Sequence, residues 1–259
     1  MVSPYYEDHF ATIYHGDCRE VIPAVYGADL WGVGECVVVD PPWDSPEWFQ
    51  WVSDTVSAEF QSLLAFTDAR RIGDPMRAFG VPSWVFVWDT MNTWSVSPSQ
   101  PVQQSKHCLW YGEQYDRDGE LWGEAPPARD HPTTKQTPLD GRRLTDVYRE
   151  SLRWLHHPGA GNGSTGTERF AKRVGPEVLR HAKPVGWLRC LIGNTSTEGV
   201  VDPFMGSGAS LRAAKDLGRW SIGVDIDEAC CEAAALRLSE QPAGTFAEPS
   251  LFDDPTEAA

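Results

Sequence analysis

No apolar run in the 259 residues approaches the roughly 18 needed to cross a bilayer, so no membrane-spanning helix is expected. The opening residues, Met1-Val2-Ser3-Pro4-Tyr5-Tyr6-Glu7, hold no basic region followed by an apolar core. No secretory signal is read there, and a cytoplasmic location is expected. Cysteine is sparse and unpatterned. The six (Cys18, Cys36, Cys108, Cys190, Cys230, Cys231) have neither C-x-x-C nor metal-ligand spacing, and read as reduced thiols. His107, His131, His156 and His157 have no ligand-like spacing with acids or cysteines, so no metal is expected. There is no internal repeat. Positive charge is also short, with 22 Lys and Arg against 37 Asp and Glu and a net charge of −15. Such a surface does not grip a polyanion uniformly.

What positive charge there is has been gathered. Residues 129–189 hold twelve basic and six acidic residues, a local +6, and the rest of the chain carries −21. An acidic body with one basic segment can still hold a polyanion through that segment. Candidate phosphate contacts are Arg142, Arg143, Arg169, Lys172 and Arg173. The Gly-rich stretch from Pro158 to Thr167 and the polar residues 90–104 read as loops. From Gln241 onward the chain is polar and acidic and reads as a disordered tail, 241–259.

Chemistry concentrates in two motifs. Cys36-Val37-Val38-Val39 reads as a buried parallel strand, and Asp40-Pro41-Pro42-Trp43 follows it directly. Proline fixes its own φ and keeps the preceding residue extended, so the carboxylate and the aromatic form a rigid lip at the strand end. A flat surface beside a hydrogen-bond acceptor suits a nucleobase with an exocyclic amino group. The second motif begins on a short strand ending at Asp202. It continues Pro203-Phe204-Met205-Gly206-Ser207-Gly208 and enters a helix from Ala209 to Leu217, with Gly218 as its C-terminal stop. The next strand ends at Asp225, 23 residues beyond Asp202. That is close to the spacing expected for an acid that takes ribose hydroxyls. Strand, Gly-rich turn, helix and acid together form the βα half of a nucleotide-binding unit.

These residues resemble the amino-methyltransferases that methylate exocyclic nitrogens of DNA bases. The cofactor motif D-P-F-x-G-S-G lies after the catalytic D-P-P-W, which is similar to the permuted β group of that family. Gly16-Asp17-Cys18 resembles the group's early G-D-C motif, and His181-Ala182-Lys183-Pro184 resembles its K-P segment. Two details differ. His181 stands where the family often has Thr, and Ala209-Ser210 stands where Thr-Thr is usual.

The resemblance implies a Rossmann-like α/β fold with a mostly parallel, permuted sheet flanked by helices. One catalytic domain would span 1–240, with DNA recognition at about 112–180. The implied cofactor is S-adenosylmethionine, held by Asp17, Cys18, Asp40, His181, Lys183, Pro184, Asp202, Phe204, Gly206, Ser207, Gly208 and Asp225. The implied catalytic set is Asp40, Pro41, Pro42 and Trp43, with Asp40 and the Pro41 carbonyl as acceptors for the base amino group and Trp43 stacking on the flipped base.

Asp in first place of D-P-P-W implies adenine N6 as target in double-stranded DNA, since cytosine-N4 enzymes more often have Ser there. Cytosine N4 stays open, as does a DNA-binding module that has lost activity, against which the intact D-P-P-W speaks. A homodimer is a further expectation for such a protein, and restriction-modification is its expected setting, with the existence of a paired restriction enzyme left open. The tail segment Glu248 to Asp254 faintly resembles bacterial sliding-clamp peptides.

Along the rest of the chain, strands are expected at 11–15, 84–88 and 106–111, and a helix from Trp48 to Phe66. Trp84 and Trp88 read as core residues and Asp89 as a turn residue. Trp94, Trp110 and Trp122 are candidates for stacking on bases.

Overall fold

The computed structural model describes residues 2–27, 32, 35–42, 44–94, 103–113, 147–149, 170, 173–175, 177–179 and 181–240, with backbone alone at 90–94, 103–104 and 147–149. Trp43, Trp122, Arg142, Arg143, Arg169 and Lys172 lie outside the described residues. So do most of the expected recognition region and the whole tail 241–259.

Nine described strands form one sheet: β1 (Tyr6–Glu7), β2 (Ala11–His15), β3 (Cys36–Val39), β4 (Ser62–Asp68), β5 (Trp84–Trp94), β6 (Gln103–Gly112), β7 (Val147–Arg149), β8 (Val200–Asp202) and β9 (Ser221–Asp225). Their order is β1-β2-β9-β8-β3-β4-β6-β5-β7. β1 and β6 run against the rest, and every other described neighbour pair is parallel. The described helices are α1 (Cys18–Tyr26), α2 (Glu47–Thr55), α3 (Gly73–Phe79), α4 (Val185–Thr195), α5 (Ala209–Asp216) and α6 (Glu228–Ser239). None is long and apolar enough to cross a membrane. This is the Rossmann-like, mostly parallel permuted sheet expected from the motifs.

Cover on both faces explains the unbroken apolar run of β3. Cys36 and Val38 pack with Trp187 and Leu191 of α4 and Ala213 of α5. Val37 and Val39 point the other way, toward Val21 and Ile22 of α1 and Phe49 and Val52 of α2. A strand that alternates between two apolar layers has no polar position to offer. Each such valine contributes about 1.5–3 kcal/mol of burial.

Five local expectations are overturned. The helix expected over Trp48–Phe66 ends at Thr55, and Ser62–Asp68 is strand β4, buried at all seven positions. Leu63 and Leu64 fit helical spacing because β4, buried on both faces, is apolar at each step from Leu63 to Phe66. Residues 90–94, expected as loop, extend β5, and 103–104 open β6. Asp89 therefore lies within β5 opposite Ser105, just before a register shift, and is not a turn residue. Of the two tryptophans read as core, Trp88 is buried and Trp84 is 54% exposed. Trp110 is no stacking candidate. It is buried, and its indole N–H donates to Ser62 Oγ at 3.1 Å.

Candidate active site

The sheet reverses its winding between β8 and β3. From β8 the chain passes through α5 to β9 on one side, and from β3 through α2 to β4 on the other. In α/β sheets ligands bind outside the carboxyl ends of the strands at such a point. A cleft of about 880 Å³ lies there, a size that suits a nucleoside-sized ligand. Asp17, Cys18, Asp40, Pro41, Pro42, His181, Lys183, Asp202, Phe204, Gly206, Ser207 and Asp225 all line it. The two main motifs, with Asp40 and Asp202 162 residues apart in sequence, meet because β3 pairs with β8 through Cys36–Val200 and Val37–Val201.

Asp40 is the first residue past β3. Its Oδ2 accepts from the Lys183 ammonium, which also donates to the His181 carbonyl at 3.3 Å. The Lys183 side chain is almost fully buried and lies 5.4 Å from the centre of the Phe66 ring. Resemblance gives Lys183 to the cofactor; its charge rests on Asp40. The other oxygen, Asp40 Oδ1, is buried with no hydrogen-bond partner among the described residues. A buried acceptor left unmade is costly, so a donor N–H supplied by a ligand would be taken up there.

On the β8 side the Gly-rich turn is held from three directions. The Gly206 N–H donates to Asp225 Oδ2 at 2.8 Å, while Asp225 Oδ1 accepts from the Asp227 N–H at 2.9 Å. The guanidinium of Arg237 donates to the Ser207 carbonyl at 2.7 Å and to its hydroxyl at 3.1 Å. Gly206 has φ +51°, and no atom lies within 4 Å of where a Cβ would stand. That open space over a left-handed turn lets a ligand approach the backbone. Gly208 has φ +73°, and a Cβ there would meet Ala234 Cβ at 2.6 Å. Glycine at 206 therefore leaves room for a ligand, and glycine at 208 lets α5 sit against α6.

Asp202 is buried beneath this turn. It accepts from the Phe204 N–H at 3.0 Å and from the Ser210 hydroxyl, so Ser210 serves as partner where the family usually has Thr. Burial pushes its pKa up to about 7, helped by the charges of Asp40 and Asp225. The folded protein thus holds this proton more tightly than the unfolded chain. The contribution is fully present below about pH 4 and is lost as pH rises through about 7. In chemical denaturation across that window, Asp202→Asn should lose stability less steeply than the parent. Parallel pH profiles would show that Asp202 is ionised throughout.

Other expected residues take defined places. Asp17 caps α1, accepting from the Arg19 N–H at 2.9 Å, and its carboxylate pairs with the Arg19 guanidinium, which holds its pKa below the usual range. Cys18 is buried at the start of α1, and burial pushes its thiol up to about 12. Pro184 precedes α4, where a proline needs no N–H partner. Arg173 pairs with Glu240 at 3.2 Å, away from the cleft lining. None of the six cysteines is in a disulfide.

Three residues of the site escape sequence reasoning. Arg19 lies 4.7 Å over the Trp48 ring, and Trp48 meets Phe204 edge-on at 5.4 Å, forming one wall of the cleft. Arg237 braces the turn from α6. None of the three falls inside a motif.

The comparisons with known proteins agree with this geometry. The family model described as DNA methylase (N6/N4 methyltransferases) matches residues 77–236. The type II methyltransferase M.ScaI of Streptomyces caespitosus is 22% identical over 94% of this chain and 86% of its own length. The PvuII DNA methyltransferase, described as cytosine-N4-specific, superposes with a TM-score of 0.66 over 94% of this chain and 91% of its own, at 13% identity. M1.HpyAVI in complex with SAM gives 0.55 over 88% of this chain and 99% of its own, at 21% identity. Since the family model covers well over half of its residues, this chain belongs to the DNA N6/N4 amino-methyltransferases, a family that uses S-adenosylmethionine.

Proposed function

We propose that this chain methylates N6 of adenine in duplex DNA, at a specific site, by flipping the base and attacking directly. The observation that carries the reading is Asp40, a carboxylate at the switch point with one oxygen anchored by Lys183 and the other buried and unpartnered among the described residues. When bound, S-adenosylmethionine supplies an electrophilic methyl group. Everything else falls to the protein. An exocyclic amino nitrogen is a poor nucleophile because its lone pair is delocalised into the ring. An N–H donated to Asp40 Oδ1, and the second to the Pro41 carbonyl, would favour a more tetrahedral nitrogen with its lone pair free. Trp43 is assigned the stacking that offsets the few kcal/mol of base flipping. Alignment of the two reactants in the cleft takes the place of a covalent enzyme intermediate.

The cleft suits the cofactor on the β2–β9–β8 side. The open space at Gly206, the acid Asp225 and the wall of Phe204 and Trp48 would hold it there. Asp225→Ala removes both an acid and the anchor of the Gly206 N–H. Cofactor affinity should fall first and by about 10-fold, the size of one charged hydrogen-bond network removed. Isothermal titration with S-adenosylmethionine tests this, and an unchanged dissociation constant would move the ribose-binding role elsewhere.

Asp in the first place of D-P-P-W favours adenine over cytosine N4. Duplex DNA incubated with methyl-labelled cofactor and digested to nucleosides should yield N6-methyladenine. N4-methylcytosine as sole product would replace the base and keep the class. Label in RNA or a small molecule alone would overturn the reading.

A further inference from the structure

We propose that Arg71 and Lys106 form a second DNA-binding element, a cationic rim beyond the Asp40–Pro42 lip that binds the phosphates flanking the flipped nucleotide. This rests on the reading of the cleft as a DNA amino-methyltransferase site.

The argument starts from direction. The cofactor motifs occupy the carboxyl ends of β2, β9 and β8, so the methyl acceptor must reach Asp40 from the side of β4 and β6. β3 and β4 pair in register from Cys36–Ser62 to Val39–Ala65, which sets Asp40 level with Phe66 and Pro42 level with Asp68. Arg70 and Arg71 come immediately after that level. Lys106 lies directly across β4 from Asp68 on the antiparallel strand β6. Arg71 also lines a small recess together with Pro41 and Pro42. Three cations, two from the turn after β4 and one from β6, thus meet on the acceptor side of the lip, in a chain whose residues outside 129–189 sum to −21.

One of the three has a structural task. Asp68 is buried, accepts from the Arg70 and Arg71 N–H groups at 2.8 and 3.2 Å, and pairs with the Arg70 side chain at 3.1 Å. The turn is therefore fixed by Asp68 and Arg70, and it sets the half-buried Arg71 at the recess beside Pro41 and Pro42. Lys106 is half-buried, with Lys183 and Arg70 as its like charges and Asp68 and Asp40 as opposite ones. Burial, then Lys183, pulls its ammonium down to about 8. A phosphate nearby would reverse that penalty, as fixed anions do for any partly desolvated cation. A phosphodiester is the anion that an extruded base brings with it on both sides, and it sets register while carrying no sequence information.

The test is duplex DNA binding, followed by fluorescence anisotropy from low to high salt with S-adenosylmethionine present. Arg71→Gln/Lys106→Gln should weaken binding about 10-fold or more, and the salt dependence should become shallower by about one unit for each phosphate no longer neutralised. Arg71→Lys/Lys106→Arg, which keeps both charges, should retain the parent's slope. Lys215→Gln removes a charge beside Asp8, far from the rim, and should bind DNA as the parent does. Cofactor affinity should be unchanged throughout. Equal affinity and slope in the neutral double variant would overturn the rim, as would an equal loss in the charge-conserving one. A parent protein that binds no duplex DNA would overturn the proposed function itself, and the rim with it.

Discussion

Asp40→Asn should lower methyl transfer by roughly 10²-fold or more while the dissociation constant for S-adenosylmethionine stays near that of the parent. The amide keeps the shape and loses the charge, so the acceptor for the base N–H is weakened where it matters most, in the transition state. A second effect must be separated from the first. Lys183 is left buried without its carboxylate, and breaking one side of a buried pair costs as much as about 3 kcal/mol. Asp40→Asn/Lys183→Met removes the stranded charge. Its unfolding midpoint should recover toward the parent, and its activity should not. A single variant with near-parent rates would remove Asp40 from the chemistry. A cofactor affinity that fell in step with the rate would assign it to the cofactor instead.

Gly208→Ala should be among the most damaging single-methyl changes in the protein. The residue holds φ +73°, which costs a side-chain-bearing residue about 1–2 kcal/mol. The new Cβ would also stand 2.6 Å from Ala234 Cβ and 3.0 Å from its Cα, neither of which can swing away. Overpacking of that kind costs about 1–3 kcal/mol, so a loss of about 2–5 kcal/mol is expected in chemical denaturation. Relief comes only by moving α5 off α6, and Gly206 and Ser207 move with it. Cofactor affinity should therefore fall as well. Stability and affinity close to the parent would mean that the turn tolerates a different backbone path.

The parts of this architecture that could be read from sequence are those where a strand runs straight into chemistry. β2, β3 and β9 end on Asp17, Asp40 and Asp225, or within two residues of them, and a short apolar run before a motif has little choice but strand. Trp48 to Phe66 shows the reverse. Its apolar positions satisfy two periods at once, and only pairing with β3 and β6 decides where helix stops and strand begins. Asp89 misled for a related reason, since the length of β5 is set by the antiparallel β6 and not by its own residues. In the site, the motif residues are legible one by one and their partners are not. That Lys183 sits on Asp40, or that Arg237 braces Ser207, depends on pairs of residues 143 and 30 positions apart, with no spacing rule to announce them.

The pairing of β3 with β8 and of β2 with β9 has a bearing on how the protein is made. Residues 11–15 and 36–39 leave the ribosome early, yet their partners are 221–225 and 200–202. Pairings of such sequence separation are slow to form and cannot form at all during most of synthesis. The lip and the Gly-rich turn therefore come together only once nearly all of the described chain has been translated. A nascent chain arrested before β8 would carry a D-P-P-W with no cleft behind it and the edge of β3 unpaired, a species inert toward DNA and prone to aggregate.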